Sequence, residues 1–342
     1  MRYLIPLVFL FVFGCEESPK PKPITQVKVD TVFEDDSLSI RAIQSMPGAI
    51  AFAANNGVFG TLSVPGHQVR SNVMEHEGIR PSFRAVAATS TDFFMLSIAN
   101  PALLYKTGDN GKMELVYQEE GEGVFYDSMA FWNDLEGLAI GDTVDGCLSV
   151  IITRDGGKTW VKQDCKVLPE GIAEEGAFAA SDTNIAIQGQ SAWVATTTSR
   201  VLVTHDIGRS WSSVQTPIVK EKETQGIYSL DFYDDKLGMA IGGDYLDPEN
   251  KSSNLAITKD GGESWQLLAN GAEPNYKSCV QFVPNSNGTQ LVALGFTGIS
   301  VSNTGGVDWE KISDEPFYTL RFINDSTAYA AGKGRISKLI FR

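Results

Sequence analysis

Three His and four Cys in 342 residues leave little for several classes of chemistry to use. No Cys-x-x-Cys pair is present, no haem-attaching Cys-x-x-Cys-His, and no glycine-rich fingerprint leading from a strand into a helix. Thiol redox, c-type haem and dinucleotide chemistry therefore have no sequence support. No His pair offers a metal centre, so neither a metal nor any other cofactor is expected. Basic residues are in the minority: 28 Lys and Arg stand against 42 Asp and Glu, a net charge of −14. That leaves no basic stripe to release counterions from phosphate, which argues against nucleic acid as a partner and against direct adsorption to anionic lipid. A single long apolar run exists, Leu4 to Phe13, and it is half of the roughly 20 residues that a membrane-spanning helix needs.

That run follows Met1-Arg2-Tyr3 and ends in Gly14-Cys15, the layout of a signal peptide. It resembles the bacterial lipobox, with Phe13 departing from the small or β-branched residue common before the Gly. The resemblance implies removal of residues 1–14 and lipidation of Cys15. Two or three acyl chains make an effectively permanent anchor, where one holds only marginally. Residues 15–23 then form the lipidated Cys and a charged, Pro-rich tether. The expected location is the bacterial cell envelope, anchored in the outer membrane and facing the periplasm or the exterior. Residues 24–342 form the folded part.

What the chain does have is Gly, 33 of them, among many short β-branched runs. A repeat accompanies them. Four segments share one pattern: Thr153-Arg-Asp-Gly-Gly-Lys-Thr-Trp160, Thr204-His-Asp-Ile-Gly-Arg-Ser-Trp211, Thr258-Lys-Asp-Gly-Gly-Glu-Ser-Trp265 and Ser302-Asn-Thr-Gly-Gly-Val-Asp-Trp309. This is the Asp-box, or BNR, pattern. Asp155, Asp206 and Asp260 are expected to accept hydrogen bonds from turn N–H groups. A left-handed Gly closes each turn, and Trp160, Trp211, Trp265 and Trp309 pack beneath. The fourth copy has Thr304 for Asp, so its turn must be held differently. A fifth copy keeps Asp109 and Gly111 but has Met113 and Glu114 for Thr-Trp, and Ser63-Val-Pro-Gly66 reads as a sixth worn to a bare turn.

Steps of 44 to 54 residues between copies suit four-stranded propeller blades. Inner strands are predicted to start near Ser39, Ser82, Tyr126, Gly176, Tyr228, Ser278 and Tyr318, which gives seven units. The last has only three strands of its own, so residues 26–32 are predicted to complete it and close the ring. The predicted fold is an all-β, seven-bladed β-propeller, expected to be monomeric.

Setting Ile152 opposite Trp160 places Cys147 opposite Cys165 across one hairpin, and a disulfide is predicted there. Cys279 has no evident partner and is read as a buried free thiol.

The repeats resemble the photosystem II stability/assembly factor-like family over essentially all of residues 24–342, in its bacterial lipoprotein form. The same motif occurs in sialidases and in the sortilin ectodomain, so it specifies fold better than function. The family resemblance implies a non-enzymatic role, binding a protein during folding or assembly. The expected function is thus a membrane-tethered module presenting one propeller face to an envelope protein or glycan. Some relatives carry an oxidoreductase label, for which this chain has no recognisable redox motif.

A candidate channel mouth is read from inner-strand residues: Arg41, Arg84 and Arg321 from neighbouring blades, with Tyr126, Asp127, Glu175 and Tyr228 from the next three. Three Arg can grip a carboxylate by forked hydrogen bonds. With a Tyr nucleophile and a carboxylate the cluster would also suit a sialidase-like glycan hydrolase, the alternative function. Acidic loops at 119–122, 141–146, 174–175 and 243–249 read as solvated turns with a capacity for a cation such as Ca²⁺.

Overall fold

In the computed structural model, residues 21–109 and 111–342 are described; the predicted signal peptide, Cys15 and most of the tether lie outside them. Seven antiparallel sheets follow one another along the chain. Their inner strands are Ala42–Met46, Phe83–Ala88, Tyr126–Phe131, Ile185–Gln188, Gln225–Phe232, Cys279–Phe282 and Thr319–Phe322. Each inner strand lies beside the next, as the apolar clusters shared between successive blades show. The sequence is an all-β seven-bladed propeller.

The second strand of most blades carries small side chains. Ala51, Ala53, Ala139, Ala240, Ala293 and Ala330 are all completely buried. Small residues let tapering sheets approach one another near the axis, while larger ones fill the space further out.

Ring closure follows the prediction and extends it. Val27–Ser39 pairs antiparallel with the final segment, Val27 opposite Phe341 and Thr31 opposite Ser337. That final segment, Thr327–Phe341, is assigned as one strand, yet Phe341 donates its N–H to the Ser326 carbonyl at 2.8 Å. Fifteen straight strand residues would span about 50 Å. The segment therefore doubles back, at Lys333-Gly334, where Gly334 takes φ +72°. The seventh blade has four strand segments, and its outermost one is the beginning of the folded chain.

In three hairpin turns a carboxylate gathers the hydrogen bonds. Asp155 accepts from the Thr153 hydroxyl at 2.9 Å, the Thr159 N–H at 3.0 Å and the Thr159 hydroxyl at 2.7 Å. Asp206 and Asp260 repeat the set with Ser210 and Ser264. In the sixth blade the Thr304 hydroxyl accepts the Asp308 N–H at 2.8 Å, so a neutral oxygen replaces the carboxylate. Gly157 takes φ +75°, and a Cβ there would stand 2.2 Å from a carbon of the Phe94 ring in the preceding blade. The turn thus fixes both the hairpin and the blade spacing.

The turn Trp of the third to sixth blades wedges between two blades. Trp160 meets Phe94 and Phe131 edge-on at 6.4 and 5.7 Å, and Trp265 meets Phe232 at 6.0 Å.

Two expectations need correction. Cys147 and Cys165 are bonded, but Ile152 pairs with Val161 rather than Trp160, one residue from the predicted register. The bond forms because the outer strand ends at Lys162 and a 3-10 turn, Cys165–Val167, brings the thiol back. The fourth inner strand begins at Ile185, not near Gly176. Residues 177–184 have left the sheet for the axis of the ring.

Candidate functional site

The segment 177–184 fills the channel. Its apolar-small sequence, Ala-Phe-Ala-Ala-Ser-Asp-Thr-Asn, reads like an inner strand, but its polar atoms find partners on six other blades. Arg41 of the first blade donates to the Ala180 carbonyl at 3.3 Å, and Arg84 of the second to the Ala179 carbonyl at 3.2 Å. Asp182 accepts from the Val86 N–H at 2.9 Å, the Ser128 hydroxyl at 3.0 Å and the Met129 N–H at 3.2 Å. Arg321 of the seventh blade donates to the Asp182 carbonyl at 2.7 Å. Thr183 donates its hydroxyl to Ser229, and the Ser181 hydroxyl donates to the Ser278 carbonyl. Only the axis is within reach of all six. Asp182 adopts φ +56°, a left-handed conformation that Asp tolerates better than most residues.

The plug decides what the three predicted Arg do. They do not converge on empty space; each holds a carbonyl of the protein's own chain. Arg321 is also bonded to Gln44 at 3.1 Å and lies 3.9 Å from the Asp182 carboxylate. Arg41 and Arg84 keep donors to spare, and the Arg41 Nε is buried with no partner. Burial, then the neighbouring Arg41 charge, lowers the pKa of Arg84. Two cations held together in a partly dry site favour an added anion.

Above the plug is an aromatic cup of about 260 Å³. Its walls are Phe178, Tyr228, Tyr245, Tyr276, Phe296 and Tyr318, and Arg41 and Arg84 stand at its base. Phe178, from the plug, stacks on Tyr228 at 3.8 Å, and Tyr276 meets Tyr228 edge-on at 4.8 Å. The Arg41 guanidinium lies 4.1 Å from the Tyr318 ring centroid. Phe296 and Tyr245 are 42% and 44% exposed, so the rim is open. Among the described residues that line the cup there is no carboxylate.

The remaining predicted site residues are placed as follows. Tyr228 is in the cup wall, its hydroxyl donating to the Thr224 carbonyl at 2.7 Å. Asp127 is fully buried beside the plug, with one oxygen on the Ala177 N–H at 3.3 Å and the other unpartnered. Burial, then the Asp142 charge, pushes its carboxyl well above the usual range. Tyr126 points away, between the second and third blades. Its hydroxyl donates to Glu119 at 2.6 Å, as does that of Tyr117, and Lys162 pairs with the same carboxylate at 2.5 Å. Glu175 is bonded to Arg200 and to the Thr198 hydroxyl, outside the cup. The predicted Tyr–Glu constellation is therefore dispersed.

Five of the six cup aromatics escaped the sequence reading. A signal was present: Tyr228, Tyr276 and Tyr318 stand just before or within three successive inner strands.

Known proteins resemble the chain in fold. Residues 148–292 match the family model for Sortilin-Vps10 (sortilin, neurotensin receptor 3), which is less than half of the chain. No curated protein matches. A solved structure described as YCF48 bound to D1 peptide superposes with a TM-score of 0.65 at 12% identity, covering 95% of this chain and 100% of that one. YCF48 from Cyanidioschyzon merolae gives 0.64 at 11% identity, covering 93% and 98%. The WD40 repeats of RRP9 give 0.63 at 12%, covering 93% and 98%. At these identities the likeness is one of fold.

Proposed function

We propose that this propeller is a non-enzymatic binding module that takes a polypeptide segment in its aromatic cup. The observation that carries the reading is the cup itself: six aromatic rings over two Arg, on a plugged channel with an open rim. Aromatic walls supply contact area at low entropic cost, and Arg forks select a carboxylate, from a side chain or a chain end. The YCF48 structure carries a peptide, which supports a peptide as the ligand class. A sialidase-like hydrolase needs a carboxylate beside its Tyr nucleophile, and none lines the cup, so a hydrolase reading has no support here.

The tether gives the module an orientation. The Lys22 carbonyl accepts from Gln290, and Ile24 exchanges hydrogen bonds with Asn303, in the turn of the sixth-blade Asp-box. The chain enters the ring on the face of the box turns. A lipid on Cys15 would set that face toward the membrane and leave the cup facing away, available to an envelope protein.

The test is a titration of labelled octapeptides ending in Phe, Leu or Ala, as free acids and as amides. The proposal expects an aromatic free acid to bind best, and Phe296→Ala with Tyr245→Ala to weaken it about tenfold. Equal binding by the double variant would refute the assignment.

A further inference from the structure

A second recessed surface, sharing no lining residue with the cup, lies between the first and second blades, with a volume of about 1060 Å³. Its origin is a missing wedge. In the third to sixth blades the Trp of the turn stands opposite the first residue of the motif, as the pairs Ile152 with Val161 and Val203 with Ser212 require. In the second blade Thr107 pairs with Met113, so the hairpin is one residue shorter and Met113, not Glu114, takes the Trp position. Met113 is half-buried and does not fill the space an indole fills elsewhere.

The lining is unusual for this chain. Met46, Met74 and Met113, three of its seven Met, form the floor with Phe59 and Phe93, whose rings stack at 6.4 Å. Unbranched thioether side chains repack around varied apolar shapes, which is why Met collects at adaptable binding surfaces. Arg70, Lys106, Lys112 and Lys158 line the groove with Asp92 and Asp109, which leaves its rim net positive on a protein whose net charge is −14. Lys106 is neutralised by Asp92 at 2.7 Å, whereas Arg70 and Lys158 are exposed. A basic rim around an apolar slot is complementary to an acidic segment with a bulky side chain.

We infer that this groove is a second docking site, which takes an acidic segment of a partner protein and seats its aromatic or large aliphatic side chain where the third to sixth blades hold their own Trp. The inference is independent of the cup.

The probe is a fluorescein-labelled decapeptide of Asp and Glu with one Trp and one Leu, titrated against the mature chain by anisotropy. A matched peptide with Lys at each acidic position serves as the control. Saturable binding of the acidic peptide alone is expected, about tenfold weaker in Met113→Trp, which fills the slot from within. The paired variant Arg70→Glu with Lys158→Glu, confined to exposed side chains, should weaken it similarly and decides the matter if Met113→Trp does not fold. The cup variant Phe296→Ala should bind as the parent does. Unchanged affinity in the groove variants, or no binding up to about 1 mM, overturns the proposal. So does self-association of the chain, or binding to phosphatidylglycerol vesicles, that only the groove variants abolish, since either would assign the surface to another occupant.

Discussion

Asp182→Ala should be among the most damaging single substitutions in this protein, and it should disable the cup as well. The carboxylate is fully buried and satisfies the N–H groups of Val86 and Met129 and the Ser128 hydroxyl. Truncation leaves two buried backbone donors orphaned, at about 1–3 kcal/mol each, and removes the carboxylate near Arg321. A total loss of about 3–5 kcal/mol is expected. With an unfolding entropy of roughly 2.1 cal/mol/K per residue, a chain this long should melt about 4–7 °C lower. Asp182→Asn keeps one acceptor oxygen but sets an amide N–H₂ against a backbone donor, and should cost about 1–3 kcal/mol. Urea unfolding followed by Trp fluorescence measures both. Because Phe178 on the same segment forms part of the cup wall, peptide affinity should fall with stability in the Ala variant. An Asp182→Ala protein within about 1 kcal/mol of the parent, with its peptide affinity intact, would refute the plug as the support of the cup.

Replacing Cys147 and Cys165 by Ser removes a bond of sequence separation 18, and the chain-entropy model gives a loss of about 3 kcal/mol, readable as a shift in urea midpoint. Gly157→Ala forces a Cβ to 2.2 Å from Phe94 at φ +75° and should lower the melting temperature by several degrees, whereas Gly146→Ala, with open space at its Cβ, should cost only its backbone strain. Stability should fall as pH rises from about 4 to 7. Burial raises Asp182 and Asp231 to about 7, so the folded state binds more protons than the unfolded one across that window. At the acid end the sign reverses. The Ser264 hydroxyl and N–H, with the Thr258 hydroxyl, hold Asp260 at about 2, so its stabilisation is complete above about 4 and is lost as pH falls through 2. Melting curves from pH 2 to 8 check both limbs.

The fold was legible because its determinants are local and repeated. A carboxylate, a left-handed Gly and an indole at fixed spacing specify a hairpin, and regular recurrence of that hairpin specifies a ring. Closure was legible from a shortage of strands at one end and a spare strand at the other. The disulfide was legible from hairpin proximity, although the pairing itself was one residue off. The plug was not, because residues 177–184 have the apolar pattern of a strand and differ from one only in where their hydrogen bonds go. That choice depends on partners 46 to 139 residues away, such as the Ser229 acceptor and the Arg84 and Arg41 donors. The candidate Arg were found, yet their partners were not, since a backbone carbonyl leaves no mark in a sequence. Of the cup aromatics, Tyr228, Tyr276 and Tyr318 recur at successive inner strands, whereas Phe178, Tyr245 and Phe296 lie outside strands, where no pattern marks them.

Photocrosslinking in intact cells tests the central claim most directly. A benzoylphenylalanine at Tyr245, on the cup rim, should give a discrete adduct with a partner polypeptide that Phe296→Ala removes, while the same probe at Val161, exposed on the outer strand of the third blade, should not form it. Adducts of equal yield at both positions, or at Val161 alone, would contradict a cup that binds protein.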